Sequence, residues 1–326
     1  MRTSGHQDKK EEAGTIHPNR MTGTYKGAPM KPRALHHGDG VGIISPAGPV
    51  SEDQLAAGIK RLESSGFKVH TGPHVYAKSN YLAGEDSLRL ADFHAMFLNS
   101  EIKAVFCSRG GYGSLRLLDR IDYDLVRKHP KLLIGFSDIT ALLMALYKHS
   151  GLVTFHGPMV VNLSSIRTAS WTHFHRLLSE GGPVTIPCSQ GKVLSKGRAV
   201  GPLLGGNMSL ICHLIGTPFF PSLHGAILFL EDRGEPPYRL DRMLTHLAQA
   251  GELQDLAGVV AGRFVDCGGM TAFHGLLEAR FAGTDVPVVT GFPLGHGSDN
   301  LALPMGIRAE LDTDRMTLRT MEPHVL

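Results

Sequence analysis

The sequence predicts an α/β protein: a parallel-sheet domain over residues 37–163, a linker over 164–195 and a smaller α/β domain, richer in strand, over 196–326. Three observations carry this expectation. From Val41 to Phe155, short apolar runs alternate with helix-patterned segments, the order that builds a parallel sheet covered on both faces. Of the 326 residues, 42% are hydrophobic and 19% charged, so the chain can bury a sizeable core. The alternation then breaks at a stretch rich in Ser, Gly and Pro and resumes with more antiparallel character. There is no internal repeat.

Residues 1–36 lack hydrophobic periodicity and are rich in Gly, Lys, Thr and Pro, which predicts a disordered leader or an over-extended start, with Met21 or Met30 as the initiator. VGIIS (41–45) reads as a buried strand. Ser51 and Gln54 form a capping box ahead of Leu55, Ile59 and Leu62 at helical spacing, and Gly66 suits the helix end. Phe67 to His70 reads as strand. Leu88, Ala91, Ala95 and Leu98 predict one apolar helix face. AVFC (104–107) is a strand, and GSLRLLDRI (113–121) starts a helix. LLIGF (132–136) is a strand, DITALLMALYKH (138–149) a helix and LVTF (152–155) a strand. Within the linker, Trp171, the one tryptophan, is assigned to packing. Further on, AILFLED (226–232), VVAGRF (259–264) and PVVTGF (287–292) read as strands. Helices are expected over 239–249 and 273–280, with a strand-like tail.

Composition excludes several function classes. A formal net charge of +3, without a basic run, argues against nucleic acid. No apolar run reaches the roughly 18 residues needed to cross a bilayer, and the polar start MRTSGHQDKKEEAG is no signal peptide. The four cysteines (Cys107, Cys188, Cys212 and Cys267) are scattered without a CxxC pair, so neither a disulfide framework nor a metal site is expected. A cytoplasmic protein with reduced thiols follows as the expectation.

Four motifs carry chemistry. In LLIGFSDIT, an apolar strand runs into Ser137 and a helical pattern follows at once. A serine at such a turn points into the crevice at the strand ends, beside the N–H groups of a helix N-terminus that can stabilise an oxyanion. The pattern is an incomplete nucleophile elbow, with Ile139 in place of the last glycine. A helix N-cap role for Ser137 or Asp138 is the plainer alternative. Cys107 to Gly113 (CSRGGYG) also joins strand to helix, as a tight turn or a binding loop, but lacks the P-loop ending and GxGxxG spacing. Gly38 to Gly42 precedes its strand, which argues against a dinucleotide fingerprint and a nucleotide-dependent oxidoreductase.

The third motif, AILFLEDRGEPPYRLDRML, delivers Glu231 and Asp232 at a strand end, with Glu235 one turn on. These acids could orient a histidine, bind metal or pair with Arg233, Arg239 or Arg242 on the surface. In VVTGFPLGHGSDN, His296 stands between two glycines after a buried strand, and His156 in TFHGP is its nearest rival among 18 histidines. A serine, an acid and a histidine, each at a strand end, suit a relay in which histidine takes the serine proton and the acid fixes the imidazole.

These residues resemble the LD-carboxypeptidase family of serine peptidases that act on murein tetrapeptides. The resemblance covers about residues 35–320. It rests on SPAGPV (45–50), SRGGYGSLRLL (108–118), IGFSDITALL (134–143), HGP (156–158), GGNMSLICHLIGTP (205–218), LEDRGEPPYRLDRML (230–244) and GFPLGHG (291–297). It implies Ser137 as nucleophile, Glu231 as acid and His296 as base. Glu231 is preferred over Glu235 because it ends the strand directly, whereas Pro236 and Pro237 turn the chain away from Glu235. It also implies an oxyanion hole from the N–H groups of Asp138 and of Gly110 or Gly111. The implied fold is a Rossmann-like N-terminal domain with a smaller β-rich C-terminal domain, as a homodimer with the site between domains and no cofactor. The implied substrate is a small peptide ending in D-alanine joined to diaminopimelate or lysine, as in cell-wall recycling. Arg109 and Tyr112 are candidates to contact it, with a structural ion pair as the alternative for Arg109. A sister branch cleaves microcin-C-like antibiotics and confers immunity, and a catalytically silent peptide-binding homologue is a third reading.

Overall fold

The computed structural model describes residues 25–326. In the first half, β1 (Gly40–Ile44) leads to α1 (Glu52–Ser64), β2 (Lys68–Thr71), α2 (Asp86–Leu98) and β3 (Ile102–Cys107). Then follow α3 (Tyr123–Lys128), β4 (Leu132–Gly135), α4 (Thr140–Ser150), β5 (Thr154–His156) and α5 (Thr168–Ser179). The second half holds β6 (Thr185–Pro187), β7 (Lys192–Ser195), β8 (Arg198–Asn207), α6 (Met208–Leu214), β9 (Ile227–Arg233), α7 (Pro237–Gln249), β10 (Gly258–Val265) and α8 (Met270–Phe281). It closes with β11 (Val288–Thr290), β12 (Leu303–Met305), β13 (Arg308–Asp312) and β14 (Thr317–Thr320).

Two sheets result. The six-stranded sheet has the order β12-β5-β4-β3-β1-β2, parallel except for β12. The eight-stranded sheet has the order β6-β14-β13-β8-β9-β10-β11-β7. Its centre, β8 to β11, is parallel, and its flanks are antiparallel. The fold is thus mixed α/β in two domains. One apolar core runs between them, from Val105 and Leu142 of the first half to Leu228 and Val259 of the second. Such a shared core fixes the carboxyl ends of both parallel sets relative to each other.

Several local expectations match. The capping box starts α1, with Ser51 N–H donating to Gln54 Oε1 (2.9 Å) and Gln54 N–H to Ser51 Oγ (3.4 Å). Trp171 packs beside the apolar core, with the Arg61 guanidinium 4.6 Å over its ring.

Four expectations need correction. Helix α2 forms, but it buries Leu90, Phe93, Met96 and Phe97, and Leu98 is exposed. Two phenylalanines and a methionine remove more apolar surface from water than the Leu/Ala stripe on the opposite side. GSLRLLDRI forms a 3-10 turn over Ser114–Arg120, and the α-helix begins only at Tyr123. The linker 164–195 is structured: α5 packs Phe174, Leu177 and Leu178 into a second apolar cluster, with Val41, Phe106 and Phe155 of the six-stranded sheet, and β6 and β7 edge the eight-stranded sheet.

The expected leader falls partly outside the described residues, at 1–24, but 25–36 are tied down. Tyr25 N–H donates to Lys148 O (2.8 Å), Met30 N–H to Gly151 O (2.7 Å), Ala34 N–H to Leu326 O (2.9 Å) and Leu35 N–H to Leu178 O (2.8 Å). An extended strap bonded to distant backbone has no periodicity for a sequence window to detect.

Gly58 of α1 lies against the 3-10 turn over Val160–Asn162, and a Cβ there would come within 2.1 Å of Val160 O. Gly58→Ala should therefore destabilise the protein by about 1–3 kcal/mol despite alanine's better helix propensity. Urea denaturation of both proteins measures this, and an unchanged or raised stability would show that the turn yields.

Candidate active site

Strand β4 ends at Gly135 and the chain turns sharply into α4. Ser137 sits in that turn with φ +62°, a left-handed conformation that costs a non-glycine residue and holds only where surroundings enforce it. Ile139, which stands where a complete elbow has glycine, packs over Gly135: a Cβ on Gly135 would lie 2.6 Å from Ile139 Cγ2. The turn is thus closed by a glycine before the serine and a branched side chain after it. Thr140 fixes the far side, its Oγ1 accepting from Asn207 N–H at the end of β8 (3.0 Å).

The CSRGGYG segment lies beside this turn. Gly110 faces Ser137 so closely that a Cβ would meet its Oγ at 3.3 Å and the Asp138 nitrogen at 3.5 Å. The glycine turn and the serine turn are thereby in direct contact, with no room for a side chain between them. Asp138 is buried, and burial raises its carboxyl pKa, opposed by hydrogen bonds from Ser114 and Gly113 and by the Arg89 charge.

Strand alternation separates the acids of β9. Asp232 faces the start of α6, accepting from Asn207 Nδ2 (2.9 Å), Ser209 N–H (2.9 Å) and Ser209 Oγ (2.8 Å). Burial again raises its pKa. Glu231 points the other way and is fully buried. Its Oε2 lies 2.6 Å from His296 Nδ1 and accepts the His296 backbone N–H at 3.1 Å. Burial works to raise the Glu231 pKa, but the hydrogen bonds from His296 and the charges of His296 and His156 leave it below the ordinary carboxylate value. Glu235 is part-buried and pairs with Arg239 at 3.4 Å, away from the histidine. The glycine before His296 makes the pairing feasible, since Gly295 has φ +89° and a Cβ there would lie 2.5 Å from Glu231 Oε2.

Ser137 and His296 line one cleft of about 380 Å³ with Gln54, Arg109, Gly110, Gly111, Phe136, Met159, Val161, Asn162 and Arg233. Among the described residues no hydrogen bond joins Ser137 to His296, whose ring stands edge-on to Phe136 at 4.9 Å. Glu231 lies behind the histidine. Arg109 reaches the cleft, its Nη1 donating to Pro49 O (3.3 Å). Tyr112 does not line it. Its exposed ring meets Tyr81 at 5.6 Å.

The sequence reading missed Arg233, Asn162 and Met159 as lining residues. Arg233 follows the acidic pair on β9, and strand alternation returns it to the face of Glu231, so the signal was there. Asn162 and Met159 lie beyond the HGP motif in a 3-10 turn without a sequence signal of its own. The cleft thus brings together a serine hydroxyl, an imidazole backed by a carboxylate, and the two guanidinium groups of Arg109 and Arg233.

His156, the rival histidine, is wholly buried between Phe136 and Phe229, with ring centroids 5.7 and 4.9 Å away, and among the described residues neither ring nitrogen has a partner. Burial lowers its pKa to about 4.

Models of the LD-carboxypeptidase N-terminal domain and the LD-carboxypeptidase C-terminal domain match residues 41–157 and 200–311. The chain is 39% identical over 296 residues to a probable murein peptide carboxypeptidase of Bacillus subtilis, covering 88% of this chain and 93% of that one. The crystal structure of muramoyltetrapeptide carboxypeptidase from Oxalobacter formigenes superposes with a TM-score of 0.76 at 32% identity, over 86% of this chain and 97% of that one. The microcin C7 self-immunity protein MccF of Escherichia coli is 26% identical over 334 residues, 91% of this chain and 97% of that one.

A neutral buried histidine makes stability pH-dependent. Unfolded, His156 binds a proton below about pH 6.5; folded, it resists protonation down to about 4. The stabilisation is therefore full above pH 6.5 and lost as pH falls through the window down to about 4. Urea denaturation at pH 7 and pH 4 should show wild type losing about 3 kcal/mol through this residue, a loss absent from His156→Phe. Parallel pH dependences in the two proteins would refute the neutral, buried state.

Proposed function

This chain belongs to the LD-carboxypeptidase family, and on that premise we propose that it is a serine carboxypeptidase that removes the terminal D-alanine of a murein tetrapeptide. The observation that carries the reading is the buried Glu231–His296 pair behind a cleft that also presents Ser137 on a strained turn. Ser137 Oγ attacks the carbonyl carbon of the scissile bond while His296 takes its proton. Glu231 keeps the imidazole in the tautomer with hydrogen on Nδ1 and stabilises the imidazolium. N–H groups of Asp138 and of Gly110 or Gly111 receive the oxyanion. His296 then protonates the departing D-alanine nitrogen, and water, deprotonated by the same histidine, hydrolyses the acyl-enzyme. Arg109 and Arg233 provide positive charge for the substrate carboxylates.

Similarity to the microcin C7 self-immunity protein supports a second reading, since the same cationic cleft suits an aminoacyl nucleotide. The deciding experiment incubates the protein separately with murein tetrapeptide and with a processed microcin, without added cofactor. Release of D-alanine is expected. Cleavage of the microcin alone favours the second reading, and inertness to both favours a silent peptide-binding homologue. Ser137→Ala should remain folded and lose about a million-fold in kcat; a variant keeping a tenth of wild-type turnover would refute the nucleophile.

The two glutamates separate by kinetics. Glu231→Gln keeps the shape but removes the charge beside His296, and should lower kcat by roughly a thousand-fold. Glu235→Gln breaks only a part-exposed pair with Arg239 and should leave kcat within a few-fold. The reverse ranking in two variants with native circular dichroism would move the acid to Glu235.

A further inference from the structure

The glycine turn that adjoins Ser137 is gripped by two buried charged side chains from different elements. Asp138 is 2% exposed, and its Oδ2 accepts the backbone N–H of Ser114 at 2.9 Å. Ser114 Oγ returns a bond to the Asp138 carbonyl at 2.6 Å. Residues 24 apart in the chain are thus joined twice. This carboxylate ties the nucleophile's turn to the end of the CSRGGYG segment and caps no helix of its own.

Arg89 holds the same segment from the other side. It projects from α2 with its side chain wholly buried. Its Nη1 donates to Gly113 O at 3.0 Å and to Pro46 O, while Nη2 pairs with Asp86. Gly113 lacks a side chain where one would collide with this guanidinium, its Cβ falling 2.8 Å from Nη1. The segment's other end is pinned by backbone. Ser108 N–H donates to Ile44 O at 2.7 Å, and Gly48 N–H donates to Gly110 O at 3.1 Å. Backbone bonds thus hold the glycine pair where the chain enters it, and the two charged residues hold the chain that leaves it, at Gly113 and Ser114.

We propose that Asp138, through its carboxylate, and Arg89 are positioning residues that hold the glycine turn where its N–H groups can receive the oxyanion formed on attack by Ser137. Neither side chain lines the cleft, so neither is placed to contact substrate. The proposal rests on Ser137 as the nucleophile. Its signature is a loss confined to kcat, because the oxyanion exists only after attack.

The test compares wild type, Asp138→Asn, Arg89→Lys and Ser114→Ala. Two rates are read: D-alanine release from murein tetrapeptide, and labelling of Ser137 by a fluorophosphonate. In the labelling, the serine oxygen bonds to phosphorus, fluoride departs and the proton passes to His296. Asp138→Asn should lower kcat by about 100-fold with KM within about threefold, and labelling should slow in step. Arg89→Lys keeps the charge but lacks the planar fork that reaches Gly113 and Pro46 together, so a kcat loss of about tenfold is expected. Ser114→Ala deletes one tie and keeps the backbone bond. It should slow both rates several-fold and decides the matter if the buried-charge variants fail to fold. A folded variant set that is labelled at the wild-type rate overturns the clamp, as does a lowered melting temperature with unchanged kcat. If wild type is labelled but spares the tetrapeptide, the substrate assignment fails and the labelling rates alone judge the clamp. If wild type resists the label, the nucleophile and the clamp fall together.

Discussion

Glu231 carries a carboxylate with no access to water, and among the described residues its hydrogen bonds run to His296 alone. A buried ion is tolerated only where its partners offset the lost hydration. That requirement propagates outward. Strand β9 must end where the carboxylate meets the loop after β11, residue 295 must be glycine, and the histidine must offer both its ring and its backbone nitrogen to one oxygen. Asn300 holds the loop from behind by accepting Gly295 N–H at 2.9 Å.

The same constraint explains the arrangement of the two sheets. Ser137 comes from the carboxyl end of β4 in one sheet, Glu231 from the carboxyl end of β9 in the other, and His296 from the loop that follows β11. In open parallel sheets ligands gather at these ends, where helix N-termini and loops converge. Here two such ends share a cleft because one apolar core runs through both halves and because β12 crosses back to pair with β5. The strap at 25–36 bonds to the first half at Lys148, Gly151 and Leu178, and the chain end at Leu326 bonds in turn to the strap at Pro32 and Ala34.

Three carboxylates near the cleft have three environments. Asp138 and Asp232 are pushed towards neutrality by burial and restrained by hydrogen-bond donors from separate elements, whereas Glu231 is held ionised by a histidine. Asp138 joins turns, Asp232 anchors the start of α6, and Glu231 fixes an imidazole. Similar residue types around one cleft thus divide structural and site-facing work according to which neighbours desolvate them.

Strand and helix order from Val41 onward was legible in the sequence because each element must satisfy its own hydrophobic period before it packs. The strand-end positions of Ser137, Glu231 and His296 followed from that order, and strand alternation alone sends Glu231 and Asp232 to opposite faces. Only the tertiary structure decided which face of α2 is buried, that 164–195 is folded, that 25–36 are bonded down, and that Met159 and Asn162 line the cleft. It also decided that Asp138 reaches Ser114 across 24 residues and that Arg89 is buried beneath the glycine turn. Periodicity and capping are local and leave a mark on neighbouring residues. Contacts between distant elements depend on how those elements are stacked, and leave no such mark.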